Sequence, residues 1–146
     1  MDRKQELINA EEQSFDELHD LIAGLSDEQM DLPGANDDDW SIKDVLWHLG
    51  CWTAEAANAI EQIRLGTYVE TDYDTDQRNL AWFEQGQALD MATVRAEWLS
   101  ARQRCLLEWS ALEEITPAAE EWFFEIGPEH VEDHIGDLRT WVAQLS

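Results

Sequence analysis

Apolar residues recur along this chain at alternating steps of three and four, the spacing that lines one face of an α-helix. Leu7, Ile8, Phe15, Leu18, Leu21, Ile22 and Leu25 keep that rhythm with acids on the other faces, predicting a first helix over 2–25 that Gly24 interrupts. Ser26 with Gln29 has the form of a capping box for one short turn, and 32–39 reads as a loop. Ser41 and Asp44 can satisfy amides at the next helix start, while Trp40 staples back on Val45. The helix that follows carries Ile42, Val45, Leu49, Trp52, Ala56, Ala59 and Ile63, the seam of a left-handed bundle, and Gly66 ends it.

An acidic connection over 67–74 leads to a short helix over 75–85 with Leu80, Trp82 and Phe83, broken by Gly86. Asp90 caps a long helix from Met91 towards Leu112, with Val94, Trp98, Ala101 and Cys105 along one side. Thr116-Pro117 starts an aromatic-rich segment that runs to Ile126, and Gly127-Pro128 is expected to break or kink the chain. Beyond it Val131, Ile135, Leu138, Val142 and Leu145 form the last seam. No strand, fixed-period repeat or low-complexity segment stands out. The pattern predicts an all-α fold, one domain over 1–146, in which four main helices form a bundle with short extra helices between them.

Charge narrows the class of partner. The 146 residues include 33 acidic and 9 basic ones, a formal charge of -24, and such a field repels phosphate backbones and anionic lipid alike. Neither nucleic acid nor a membrane is expected as a partner. The same self-repulsion is screened by salt, so stability is expected to rise in molar KCl. Cys51 and Cys105 both fall inside predicted helices and do not make a disulfide framework, which points to reduced thiols and a cytoplasmic setting. The N-terminus has no apolar leader, and no stretch approaches the roughly twenty apolar residues that span a bilayer.

The candidate chemistry is carried by histidine. His130 and His134 are four apart on the last helix, so their imidazoles lie on one face about one turn from each other. His48 borders the seam of the second long helix, where a bundle builds its sites. Three imidazoles suit zinc, nickel, iron or copper and leave a position for water or substrate; zinc or nickel is expected first, with iron or manganese as further options. The competing reading is three structural histidines beside seams. Glu55 lies on nearly the same wheel direction as His48, and Asp44 one turn before it; either could accept a hydrogen bond from a ligand or a proton during catalysis, or stay a solvated surface carboxylate. Cys51 makes an H-x-x-C with His48 but points away from the seam, as an ordinary packing cysteine does, and His19 has no histidine partner at helical spacing. Eight tryptophans could line a cleft for an apolar ligand or simply fill the core. There is no Gly-rich phosphate loop, G-x-S-x-G elbow or C-x-x-C pair.

Trp40-Ser-Ile-Lys-Asp-Val-Leu-Trp-His-Leu-Gly-Cys-Trp52, with Glu129-His-Val-Glu-Asp-His-Ile135 near the C-terminus, resembles the DinB-like superfamily, especially its ClbS/DfsB branch. The likeness covers nearly the whole chain. It implies an up-down-down-up four-helix bundle whose metal-binding positions are here His48, His130 and His134. It further implies either metal-activated water or a low-molecular-weight thiol acting on a small electrophilic substrate, as in thiol-dependent transferases and isomerases, or a ClbS-like hydrolysis without metal. The third alternative is a non-catalytic protein that sequesters a small molecule in a tryptophan-lined cleft. No basic cluster is evident for the carboxylates of a thiol cofactor, leaving Arg78 and Arg139 as the candidates. A homodimer is left open.

Overall fold

Polar side chains at the helix starts set the element boundaries. In a computed structural model, which describes residues 2–145, Asp2 accepts a hydrogen bond from the Gln5 amide and opens α1, Arg3–Ile22. This helix stops two residues before Gly24. Ser26 and Gln29 form the expected reciprocal capping box over the single turn α2, Asp27–Met30. Ser41 and Asp44 do the same for α3, Ile42–Leu65, which ends at Gly66 in the left-handed region. Asp74 caps α4, Thr75–Gly86, Asp90 caps α5, Met91–Ala111, and Thr116 with Pro117 opens α6, Pro117–Phe124.

Of the two outcomes expected at Gly127-Pro128, a break or a kink, the break does not occur. The chain stays helical through a π-turn, Glu125–Glu129, and runs directly into α7, His130–Leu145. Pro128 lacks an N–H and crowds the preceding turn, and the wider π-turn accommodates it inside a helix instead of ending one. Register is a second consequence. Phe123, Gly127, Val131 and Ile135 recur every four residues, a spacing that drifts by about 40° per step in a regular α-helix; the wider turn takes up part of that drift. The inward faces of α6 and α7 thus belong to one seam.

Pairings along the helices give the topology. Lys43 near the start of α3 donates to the Leu89 carbonyl before α5 at 2.9 Å, and Arg64 near the end of α3 pairs with Glu108 near the end of α5 at 3.1 Å, so the two run parallel. They approach closely at Gly50, where a Cβ would stand 3.2 Å from the Trp98 Cα. The α1 helix opposes both: Trp109 donates its indole N–H to the Lys4 carbonyl at one end, and Phe15 packs on Trp98 further along. It runs with the α6–α7 helix, pairing Arg3 with Glu120 and Glu17 with Arg139. The result is the up-down-down-up bundle. All regular elements among the described residues are helical, and no helix is long and apolar enough to cross a membrane.

Two apolar clusters fill the interior. One gathers Leu18, Ile22, Val45, Leu46, Leu49, Val94, Ile135 and Leu138; the other gathers Leu7, Ala56, Ala57, Ile60, Trp109, Ala119 and Phe123. Between them lies a buried ion pair that the periodicity did not announce. Arg102 donates to both carboxylate oxygens of Glu11, at 2.6 and 2.9 Å, and its guanidinium stacks 3.7 Å from the Phe15 ring centroid. A cavity of about 40 Å³ adjoins it. Trp47 and Trp52 donate their indole N–H groups to the Trp82 carbonyl and to Asn79, which straps α4 across α3. Most tryptophans are therefore core or strap residues.

Candidate metal centre

The second long helix and the last one converge at the histidines. His48 on α3 is 8% exposed, and α7 presents His130 at its first position and His134 one turn on. Their ligand atoms all lie within 4.8 Å of one another. The Nε2 atoms of His48 and His130 are 3.0 Å apart, those of His134 and His130 3.2 Å. Two nitrogens each about 2.1 Å from one ion are separated by about 3.0 to 3.4 Å, for angles between right and tetrahedral. A π-turn immediately precedes His130, and such turns recur at functional sites.

The donor set fits a cation better than it fits itself. Burial lowers the pKa of all three imidazoles, to about 3 for His48 and about 4 for His130. Each further positive charge in the cluster opposes the next, and only Asp133 pulls back on His130 and His134, together with Asp137 on the latter. At neutral pH the rings are uncharged and their lone pairs are available. Three neutral imidazoles that turn Nε2 to one point cannot all satisfy each other, because a shared proton serves one contact at a time. One ion satisfies all three. The Nδ1 atoms of His48 and His130 have no partner among the described residues. Rings that ligate through Nε2 carry their proton on Nδ1, and a backing acceptor for that N–H is the usual arrangement, so these two stand out.

Aromatic packing holds the cluster from the α4 side. The Trp40 ring meets His48 edge-on at 5.3 Å between centroids, and Phe83 stacks on Trp40 at 5.2 Å. Sequence reasoning placed Trp40 as a helix staple, among the tryptophans that could line a cleft and at the head of the family-like motif; its stacking on Phe83 depends on α4, which no local spacing reveals.

The two carboxylates singled out beside His48 are engaged elsewhere. Asp44 caps α3 by accepting from the Ser41 amide and also accepts from Gln87 at 2.9 Å. Glu55 pairs with Arg78 at 3.2 Å. His19 lies exposed on α1, stacked on Phe15 and 3.8 Å from Asp20, well outside the cluster. The Cys51 thiol is pushed up to about 12 by burial and by Glu55 and Glu97, which leaves it protonated and poorly nucleophilic. Cys105 is buried, and its thiol is raised to about 12 as well.

An up-down-down-up helical bundle with three histidines converging between its second and last long helices defines a DinB-like protein. More narrowly, the chain belongs to the family described as the mycothiol maleylpyruvate isomerase N-terminal domain, whose model matches residues 12–145. This match lies in the expected superfamily but gives no support to the ClbS/DfsB branch in particular. No curated protein and no solved structure matches the chain significantly.

Proposed function

We propose that this protein is a divalent-metal enzyme in which His48, His130 and His134 hold the ion and a small electrophilic molecule is the substrate. The convergence of three neutral Nε2 atoms from distant parts of the chain carries the reading. Zinc or nickel suits an all-imidazole set best, with iron or manganese as further options. When bound, such an ion supplies Lewis acidity that brings a water or a small thiol into its nucleophilic form near neutral pH. The family name places a thiol, mycothiol, in the chemistry of relatives; a thiol-dependent transfer or isomerisation and a hydrolysis are the two reaction types this chain could support.

The chain's own residues supply the setting. Trp40, backed by Phe83, packs edge-on against His48 and restrains its ring. Glu55, two turns from His48 on the same face of α3, is a candidate proton acceptor, provided it exchanges Arg78 for substrate. Asp44 acts one step further back, because its cap fixes the start of the helix that carries His48. Arg78 and Arg139, the two arginines considered for a thiol cofactor's carboxylates, pair with Glu55 and Glu17 instead. That pairing weighs the reading toward water as the nucleophile.

Metal content of the purified protein, measured by mass spectrometry after loading and desalting, tests the proposal. About one equivalent is expected in the native chain and none in a His48→Ala, His130→Ala double variant. Equal content in the two would remove the site. Turnover that persists in fully metal-free protein would favour a ClbS-like hydrolysis, and binding without turnover a sequestering protein.

A further inference from the structure

A groove opens on the same α3 face as His48, about two turns towards the C-terminal end of that helix. Seven residues separate His48 from Glu55, about 10 Å along the axis. On the opposite wall Ile126 stands one turn before His130. Residues 67–74 close the side. Two adjoining hollows of about 190 and 210 Å³ share Tyr68, Tyr73 and Trp122 and together form the groove.

Its walls are aromatic and its charge is negative. Trp122 donates its indole N–H to the Tyr68 hydroxyl at 3.0 Å, which locks two of the rings together. Glu70, Glu121 and Glu125 line the same hollow, and no cation pairs with any of them among the described residues. The groove's one basic side chain is Arg78. It is already neutralised by Glu55, and its guanidinium lies 4.1 Å over the Tyr73 ring. The groove therefore already receives one cation, from the chain itself, between an aromatic face and a carboxylate.

Anions have no counterpart to meet. Eight of the nine basic side chains pair with carboxylates: Arg3, Lys43, Arg64, Arg78, Arg95, Arg102, Arg104 and Arg139. The ninth, Lys4, donates to the Ser110 and Leu112 carbonyls. An anionic ligand in this groove would have to displace an existing pair against three carboxylates. A cation displaces nothing.

We infer that the groove binds a small organic cation, an amine or quaternary ammonium with an apolar body, through the rings of Tyr68 and Trp122 and the carboxylates of Glu70, Glu121 and Glu125. Binding in the groove stands by itself. That the bound cation is the substrate, with its far end directed at the histidines, rests on the metal-enzyme reading. Partial burial and the like charges of Glu121 and Glu129 raise the Glu125 carboxyl, a crowding that a bound cation relieves.

Choline, its neutral isostere 3,3-dimethylbutan-1-ol and the anion 3,3-dimethylbutanoate probe the site by calorimetry and tryptophan fluorescence. The cation is expected to bind at least about tenfold tighter than the neutral isostere, and the anion not at all. Glu121→Gln with Glu125→Gln should bring the cation close to the neutral probe, and Trp122→Leu should remove the fluorescence response. The two glutamates are exposed, so that double variant should keep the native fold, as circular dichroism would report. Equal binding of choline and its isostere, preference for the anion, or cation binding indifferent to the glutamates and Trp122 would each overturn the inference. His48→Ala separates the two readings: cation binding is expected to survive it while metal binding is lost.

Discussion

Glu11 and Arg102 meet midway along the bundle with opposite charges, whereas the α3–α7 seam brings together three imidazoles that have only lone pairs and shared protons to exchange. Both are polar groups taken out of water by helices far apart in sequence. The first pair is complete: two hydrogen bonds to the carboxylate and an aromatic ring beneath the guanidinium leave little unsatisfied. The second is incomplete, with Nε2 atoms directed at one another and two Nδ1 atoms lacking partners. A group satisfied within the protein serves the fold, and a group left unsatisfied at low exposure calls for something from outside.

The sharpest way to break this comparison is to remove half of the complete pair. Arg102→Ala leaves a carboxylate in the interior, and the loss expected is about 3 kcal/mol, the lower end for a buried pair because Arg102 keeps some exposure. Joint replacement of Glu11 and Arg102 by methionine should recover most of it. Urea unfolding of the three chains reads both numbers, and a mild effect of Arg102→Ala would mean the pair is solvated.

At the histidines the expected outcome is reversed. His48→Ala should weaken zinc or nickel binding at least about 100-fold, more than the loss of an outer hydrogen-bond partner. Without metal it should leave the unfolding midpoint level or slightly raised, since a ring with an unsatisfied nitrogen is removed. A large loss of metal-free stability would instead make the cluster structural, like the ion pair.

Acid sharpens the contrast further. Unfolded imidazoles titrate near 6.5 and the folded His48 and His130 near 3 and 4, so between these values the unfolded chain binds more protons. Above the unfolded value the buried neutral rings carry no protonation penalty; as pH falls below it towards the folded values that penalty grows and stability is lost. Metal-free protein should lose stability from pH 6.5 to 4.5 more steeply than the His48→Ala, His130→Ala variant does. Parallel profiles would contradict the buried neutral rings.

The smallest effect is expected at Glu55. Its pair with Arg78 is about one-third exposed on both sides, so Glu55→Gln should change stability by less than about 1 kcal/mol. Any fall in turnover beyond that, at unchanged metal content, would mark it as a proton acceptor in the reaction.

Local information settled much of this molecule. The caps at Ser26, Ser41, Asp90 and Thr116 are each a side chain meeting an amide within three residues, so they were read directly from neighbours, and Asp2 and Asp74 cap their helices in the same way without having been singled out. The apolar seams likewise named most of the buried residues, and the spacing of His130 and His134 placed two imidazoles on one face. Other features depend on what lies across the bundle. Pro128 reads as a break because its own chemistry opposes a helix; packing of the α6–α7 seam against α1 and α3 compensates, and the chain answers with a wider turn. The Glu11–Arg102 pair, the stacking of Phe83 on Trp40 and the Trp122–Tyr68 wall join residues dozens of positions apart, at distances set by helix packing. Helical periodicity states which way a side chain faces, but only the docking of one helix on another decides what it finds there.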